Sequence, residues 1–152
     1  MIALATVLAA IAIAAPNLDP ERAAHVAADI AAEAEDVDQG LTLVTIARFE
    51  SDFREEVENC AITGDEGEAI SLFQMHARWY QRHTRREICW SNRLATRLAA
   101  DAVAYLRRMV QTPERIFMRY VGTSDPRDRR IVTRLALYSR LVKEVSHADV
   151  ES

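Results

Sequence analysis

The sequence predicts a predominantly α-helical α+β domain: a helical bundle with one small β-hairpin or irregular insertion near residues 57–70. Three observations predict it. Gly and Pro are scarce, four of each in 152 residues, while Ala and Arg abound, a composition that favours helix. Apolar residues recur at three- and four-residue spacing through most of the chain. The densest turn signal, Thr63-Gly64-Asp65-Glu66-Gly67, falls between short extended pieces. A chain of this length forms one domain with a sizeable core, here residues 17–146.

The elements follow in order. Residues 1–15 are continuously apolar, too short for a comfortable membrane span, which needs about 20 residues. With Ala12-Ile13-Ala14 as a small-residue cleavage pattern, residues 1–16 read as an export signal or membrane anchor. No Lys or Arg precedes them, so a buried first helix stays open as the alternative. Asp19-Pro20-Glu21 starts the next helix, with Asp19 as cap and Pro20 in the first turn. Its stripe includes Ala23, Val26, Ala27 and Ile30, and it should end before Gly40. His25 lies beside that stripe, a surface or boundary histidine.

A helix from Leu41 follows, ending at Glu50, and then an acidic, solvated stretch at Glu55, Glu56 and Glu58. Ser71-Leu72-Phe73-Gln74 has the form of a capping box, which predicts a short helix from Ser71 that carries His76. Ser91 caps a long helix to about Thr112, with Leu94, Leu98, Ala102, Val103, Leu106, Met109 and Val110 as its apolar stripe. Thr112-Pro113 and Asp125-Pro126 repeat the start seen at Asp19-Pro20. The last helix buries Ile131, Leu135, Tyr138, Leu141, Val142 and Val145, and residues 147–152 form a tail.

Charge is unevenly placed. Residues 17–68 carry 15 acidic and 3 basic side chains, and residues 78–143 carry 16 basic and 5 acidic ones. The halves are expected to pack together and neutralise one another; the alternative is a basic surface that meets an anionic polymer. The net charge of −4 argues against a nucleic-acid binder. Cys60 and Cys89 are too few for a disulfide scaffold and lack metal-ligand spacing. They either pair in an oxidising compartment or stay as small buried apolar groups. No metal or cofactor cluster is evident.

Glu50 is the unusual residue. Leu43, Ile46 and Ala47 precede it by seven, four and three positions, so it continues an apolar helix face. Burying an ionised carboxylate without a partner is costly, and a carboxyl group so placed tends to keep its proton. That is the property of a general acid near neutral pH. The plainer alternative is a helix-end Glu that reaches water.

The residues around Glu50 carry a resemblance. Glu50-Ser51-Asp52-Phe53, the turn Gly64-Asp65-Glu66-Gly67, then Ser71-Leu72-Phe73-Gln74 and Tyr120-Val121-Gly122, taken in that order, resemble the goose-type lysozymes and lytic transglycosylases. The likeness spans roughly residues 20–140. It implies a lysozyme-like helical domain that cleaves the glycan of peptidoglycan at the MurNAc–GlcNAc β-1,4 bond, without cofactor or metal. It implies Glu50 as the catalytic acid and Asp65 as the group that positions water. Ser51, Ser71, Gln74 and Tyr120 would be substrate-binding, with Gln74 lining the sugar groove and the Tyr120 hydroxyl orienting the acid or the sugar. The partner implied is a peptidoglycan strand, met outside the cytoplasm, with residues 1–15 able to anchor the protein to a membrane.

Three positions depart from that pattern. Asp52 and Ser71 stand where Gly is usual, and Val121 replaces the usual Asn. Asp65 has a plain reading as a turn residue capping its own backbone, and Tyr120 as a core aromatic. The contrasting functional reading is a non-catalytic wall-binding or structural module of a phage particle or secretion machine.

Overall fold

The computed structural model describes residues 2–148, and side chains up to residue 146. Of the tail assigned to residues 147–152, positions 149–152 lie outside the described residues. Among the described residues are eight α-helices: α1 (Leu4–Ala14), α2 (Pro20–Glu33), α3 (Val37–Glu50), α4 (Glu55–Glu58), α5 (Arg85–Trp90), α6 (Asn92–Val110), α7 (Pro113–Val121) and α8 (Arg129–Ala148). Short 3-10 turns cover Asp65–Gly67 and Ala77–Trp79. The chain is thus predominantly helical, as its composition predicts.

Helix α3 is the axis. Every residue from Gln39 to Ala47 is buried, and α1, α2, α6 and α8 all pack against it. Over that stretch the helix has no face turned to water, so its polar residues, Gln39, Thr42 and Thr45, are bonded within the protein. It starts at an Asp36 cap, whose carboxylate accepts from the Gln39 N–H at 2.8 Å. Gly40 therefore lies inside a helix, not at the boundary expected for it. The reason is space: a Cβ at Gly40 would come 2.7 Å from Cδ1 of Ile2. The glycine lets the chain's N-terminal residues press against α3.

Helix α1 belongs to the core. Val7, Ala10 and Ile11 are fully buried, and α1 packs on α2, α3 and α8. That placement is the buried first helix, the alternative the sequence leaves open for this segment. Among the described residues, no helix is long and apolar enough to cross a membrane.

Caps at Asp19, Ser91 and Thr112 start α2, α6 and α7 as expected, each accepting from a backbone N–H three residues on. Asp125-Pro126 does not start α8. Asp125 instead bonds the Arg127 N–H at 2.9 Å, and Asp128 the Arg130 N–H at 2.9 Å, which delays the helix to Arg129. On α6 the buried face is small, built around Ala95, Ala99, Ala102 and Val103, while Met109 turns outward. Val142 of α8 is likewise exposed.

The insertion is irregular. Its pairing consists of two isolated antiparallel bridges, Gly64 with Ala69 and Ile70 with Met75. Each closes a four-residue turn, and both partners of each bridge exchange N–H···O=C bonds. The helix expected from Ser71 is the second of these turns. Ser71 has φ +68°, whereas a capping residue needs an extended backbone, so its hydroxyl cannot cap the following turn. The insertion is anchored from below by Ile70, Phe73 and Met75, all fully buried. A disulfide between Cys60 and Cys89 ties its start to α5, with Cα atoms 5.5 Å apart.

Two outcomes are expected. Ile11→Ala should cost about 2–5 kcal/mol in a urea melt, as for any fully buried Ile; a neutral result would place α1 outside the folded core. Cys60→Ser with Cys89→Ser should cost about 3–4 kcal/mol, the loop entropy of a 29-residue separation. A loss below roughly 1 kcal/mol would show that the insertion holds without its covalent tie.

Candidate active site

Where α3 ends, the chain leaves the core and Glu50 emerges at the floor of a hollow of about 620 Å³. The two turns of the insertion form one wall through Gly64, Asp65, Ala69 and Gln74. The end of α7 and the first two turns of α8 form the other, through Tyr120, Val121, Arg130 and Arg134. Four of the six residues singled out from sequence, Glu50, Asp65, Gln74 and Tyr120, thus meet around one cavity.

Glu50 has a partner that the sequence reading did not assign. The Arg134 guanidinium donates to Glu50 Oε1 at 2.6 Å, with the arginine side chain 7% and the glutamate 21% exposed. Arg134 also donates to the Arg130 carbonyl at 3.0 Å and lies over the Phe49 ring, 5.0 Å from its centroid. Its Nε is buried without a hydrogen-bond partner, so Glu50 is the main compensation for the desolvated charge. The carboxylate expected to stand alone is therefore ion-paired. A sequence signal existed: Arg134 sits on the apolar stripe between Ile131 and Tyr138, a charged residue on a buried face just as Glu50 is.

The Tyr120 hydroxyl is committed to the fold. It donates to the Phe73 carbonyl at 2.7 Å and so fixes the Ser71–Gln74 turn against α7. Burial, and after it the nearby Glu50 charge, push this phenol above its ordinary titration range, so it stays a donor. Gln74 (φ +47°) donates to the Ser71 carbonyl at 3.1 Å. Its amide rests against Gly64, where an added Cβ would come 2.4 Å from Gln74 Oε1. Asp65 stands at the rim, 69% exposed, with Nε2 of His76 3.1 Å from its carboxylate. His76, to which the sequence reading gave no role, thus orients the second acid.

Ser51 and Ser71 do not face the hollow. The Ser51 hydroxyl donates to the Ala47 carbonyl at 2.9 Å and is buried. Ser71 is fully buried and its Oγ has no partner. Both lie behind the wall rather than on it. Among the described residues, the side chains with metal-ligating proximity are His25, Asp29 and Glu58, whose ligand atoms lie within 4.8 Å of one another. None of them lines this hollow, Glu58 is paired with Arg22, and His25 is bonded to Asn92. What the hollow offers is one carboxylate held in place by a buried guanidinium, a second, more exposed carboxylate, and an amide between them.

No family model matches the chain, and no curated protein or solved structure matches it.

Ser71 carries a test of the wall. Its left-handed backbone costs an L-residue roughly 1–2 kcal/mol, and its orphaned hydroxyl adds to that. Gly escapes both but loses more chain entropy, roughly 0.5–1 kcal/mol. The first pair of effects is larger, so Ser71→Gly should raise stability by about 1 kcal/mol in a denaturant melt. A destabilised variant would mean that the hydroxyl holds the turn.

Proposed function

We propose that this protein is a muramidase that cleaves the MurNAc–GlcNAc β-1,4 bond of peptidoglycan with Glu50 as general acid. The observation that carries the reading is backbone geometry at two of the three positions that depart from the lysozyme-like pattern. Where the pattern has Gly, this chain has Asp52 with φ +53° and Ser71 with φ +68°. Both are conformations that glycine adopts freely and other residues adopt rarely. A left-handed backbone at both positions is what glycines there would serve, so the reading accommodates both departures. The meeting of Glu50, Asp65, Gln74 and Tyr120 around one hollow supports the same reading. So does the irregular insertion laid against a carboxylate-ended helix, an arrangement that the lysozyme-like reading expects.

The chemistry needs a proton on the leaving oxygen and a group that meets the oxocarbenium-like carbon. Arg134 engages Oε1 of Glu50, so Oε2 is the oxygen turned to the substrate. The reaction requires that oxygen to take up a proton from solvent, which then passes to the glycosidic oxygen as the C1–O bond breaks. The attacking hydroxyl must in turn give up a proton. In hydrolysis Asp65, steadied by His76, takes it from an attacking water, and Glu50 regains its proton from solvent. In a transglycosylase Glu50 takes it from the muramic acid's own C6 hydroxyl, which closes an anhydro ring. The exposed second carboxylate favours hydrolysis.

The Arg134 pair favours a second reading. A carboxylate committed to a buried guanidinium is also what a purely structural pair looks like, and a wall-binding or structural module would keep it for stability. Glu50→Gln separates the two. In the enzyme it should lower release of glycan fragments from purified peptidoglycan by at least about 100-fold, read by mass spectrometry. Because it leaves Arg134 without its counter-charge, it should also cost about 2 kcal/mol of stability, so assays belong well below its melting temperature. Reducing ends mark hydrolysis and anhydro ends transglycosylation. Equal fragment yields from wild type and variant, or none from either while both bind the wall, would sink the catalytic reading.

A further inference from the structure

The insertion wall of the Glu50 hollow has two unequal halves. Residues 69–75 are fixed from below. Ala69, Ile70, Leu72, Phe73 and Met75 are buried, and the Tyr120 hydroxyl holds the Phe73 carbonyl at 2.7 Å. Residues 59–68 differ, because none of them is buried. Gly64 and Asp65, which line the hollow, belong to this second half.

Without buried side chains, that half depends on its bonds. Backbone bonds join Ile62 to Glu56 at 2.7 Å, and Gly64 to Ala69 at 3.0 and 3.2 Å. Between these points the contacts are exposed. The Arg85 guanidinium donates to the Gly67 carbonyl at 2.7 Å, and His76 meets the Asp65 carboxylate at 3.1 Å. Solvated contacts of this kind carry little weight and open readily. The remaining tie is the Cys60–Cys89 disulfide. Its far end is firm: Cys89 lies on α5, where Ile88 is fully buried and Thr84 and Glu87 close a capping box. Neither cysteine is itself buried, so the bond lies within reach of a thiol from solvent.

We propose that the Cys60–Cys89 bond is a redox switch for the Glu50 hollow. Oxidised, it holds residues 61–68, and with them Asp65, on the wall. Reduced, it frees that half, while α3, the Glu50–Arg134 pair and residues 69–75 stay folded. The step is thiol–disulfide exchange with a dithiol. The dithiol closes to its own disulfide, and two electrons and two protons pass to the protein, leaving Cys60 and Cys89 as thiols. The consequence for activity rests on the reading of the hollow as a muramidase site. Such an enzyme is idle where thiols are kept reduced and active once an oxidising compartment closes the bond.

The test compares the oxidised protein, the protein reduced with dithiothreitol, and the double variant Cys60→Ser with Cys89→Ser. These are the chain's two cysteines, so the variant has no thiol left to respond. Hydrogen exchange read by mass spectrometry should be about tenfold faster over residues 61–68 in the reduced protein and in the variant, and unchanged over residues 41–47 and 69–75. Release of glycan fragments from purified peptidoglycan should fall at least about tenfold on reduction. It should return when glutathione disulfide reoxidises the pair, and the variant should stay low in either buffer. Unchanged exchange over residues 61–68, or equal acceleration throughout the chain, overturns the proposal. So does equal fragment release from oxidised and reduced protein. The expected exchange pattern with no fragments from any form leaves the switch standing and sinks the muramidase reading instead.

Discussion

Burial of the middle of α3, every residue from Gln39 to Ala47, is the constraint on which the molecule turns. A helix without a solvated face must have each of its polar groups satisfied by protein. Gln39 donates to the Ala100 carbonyl at 2.7 Å and accepts from the Glu35 N–H at 2.6 Å. Thr42 and Thr45 turn their hydroxyls back onto carbonyls four residues earlier. Asp38 takes the hydroxyl of Tyr138, and Glu50 takes Arg134. The two carboxylates at opposite ends of α3 are thus both met by α8, which makes that helix the counterpart of the axis.

The same pairing offsets part of the lopsided charge of the chain. Glu33 is bonded by Arg93 and Arg97, Asp36 and Asp38 by Arg107, and Glu50 by Arg134. Each contact joins the acidic early half to the basic later half. The exposed pairs contribute little individually, whereas the Glu50–Arg134 pair is largely desolvated and so weighs more, in either direction. Four of the sixteen basic residues in 78–143 are paired across the halves in this way, so contact between the halves neutralises part of the separation seen along the sequence.

Much of this was legible in the sequence, for identifiable reasons. Caps at Asp19, Ser91 and Thr112 could be read because an Asp, Ser or Thr before a helical pattern does one local job. Glu50 stood out because an acid interrupted an apolar face. The misreadings share a different cause: local signals outweighed by tertiary contact. Gly40 reads as a break until Ile2 is placed against it. Ser71 and Gln74 read as a capping box until the Ile70–Met75 bridge folds them into a turn with positive φ at both. Asp125-Pro126 reads as a helix start until Asp128 competes for the same backbone. Arg134 was hidden by distance, 84 residues from its partner, and the spacing rules for helix faces do not reach so far.

The order in which the parts are made has its own consequence. On the ribosome, α3 and its terminal carboxylate emerge long before α8. Until that last described helix docks, the floor of the hollow lacks its guanidinium and the wall opposite the insertion is missing. A nascent chain of the first hundred residues therefore holds an acidic, unclosed half-site. Closure of the site thus depends on docking of the same helix that meets both carboxylates of α3.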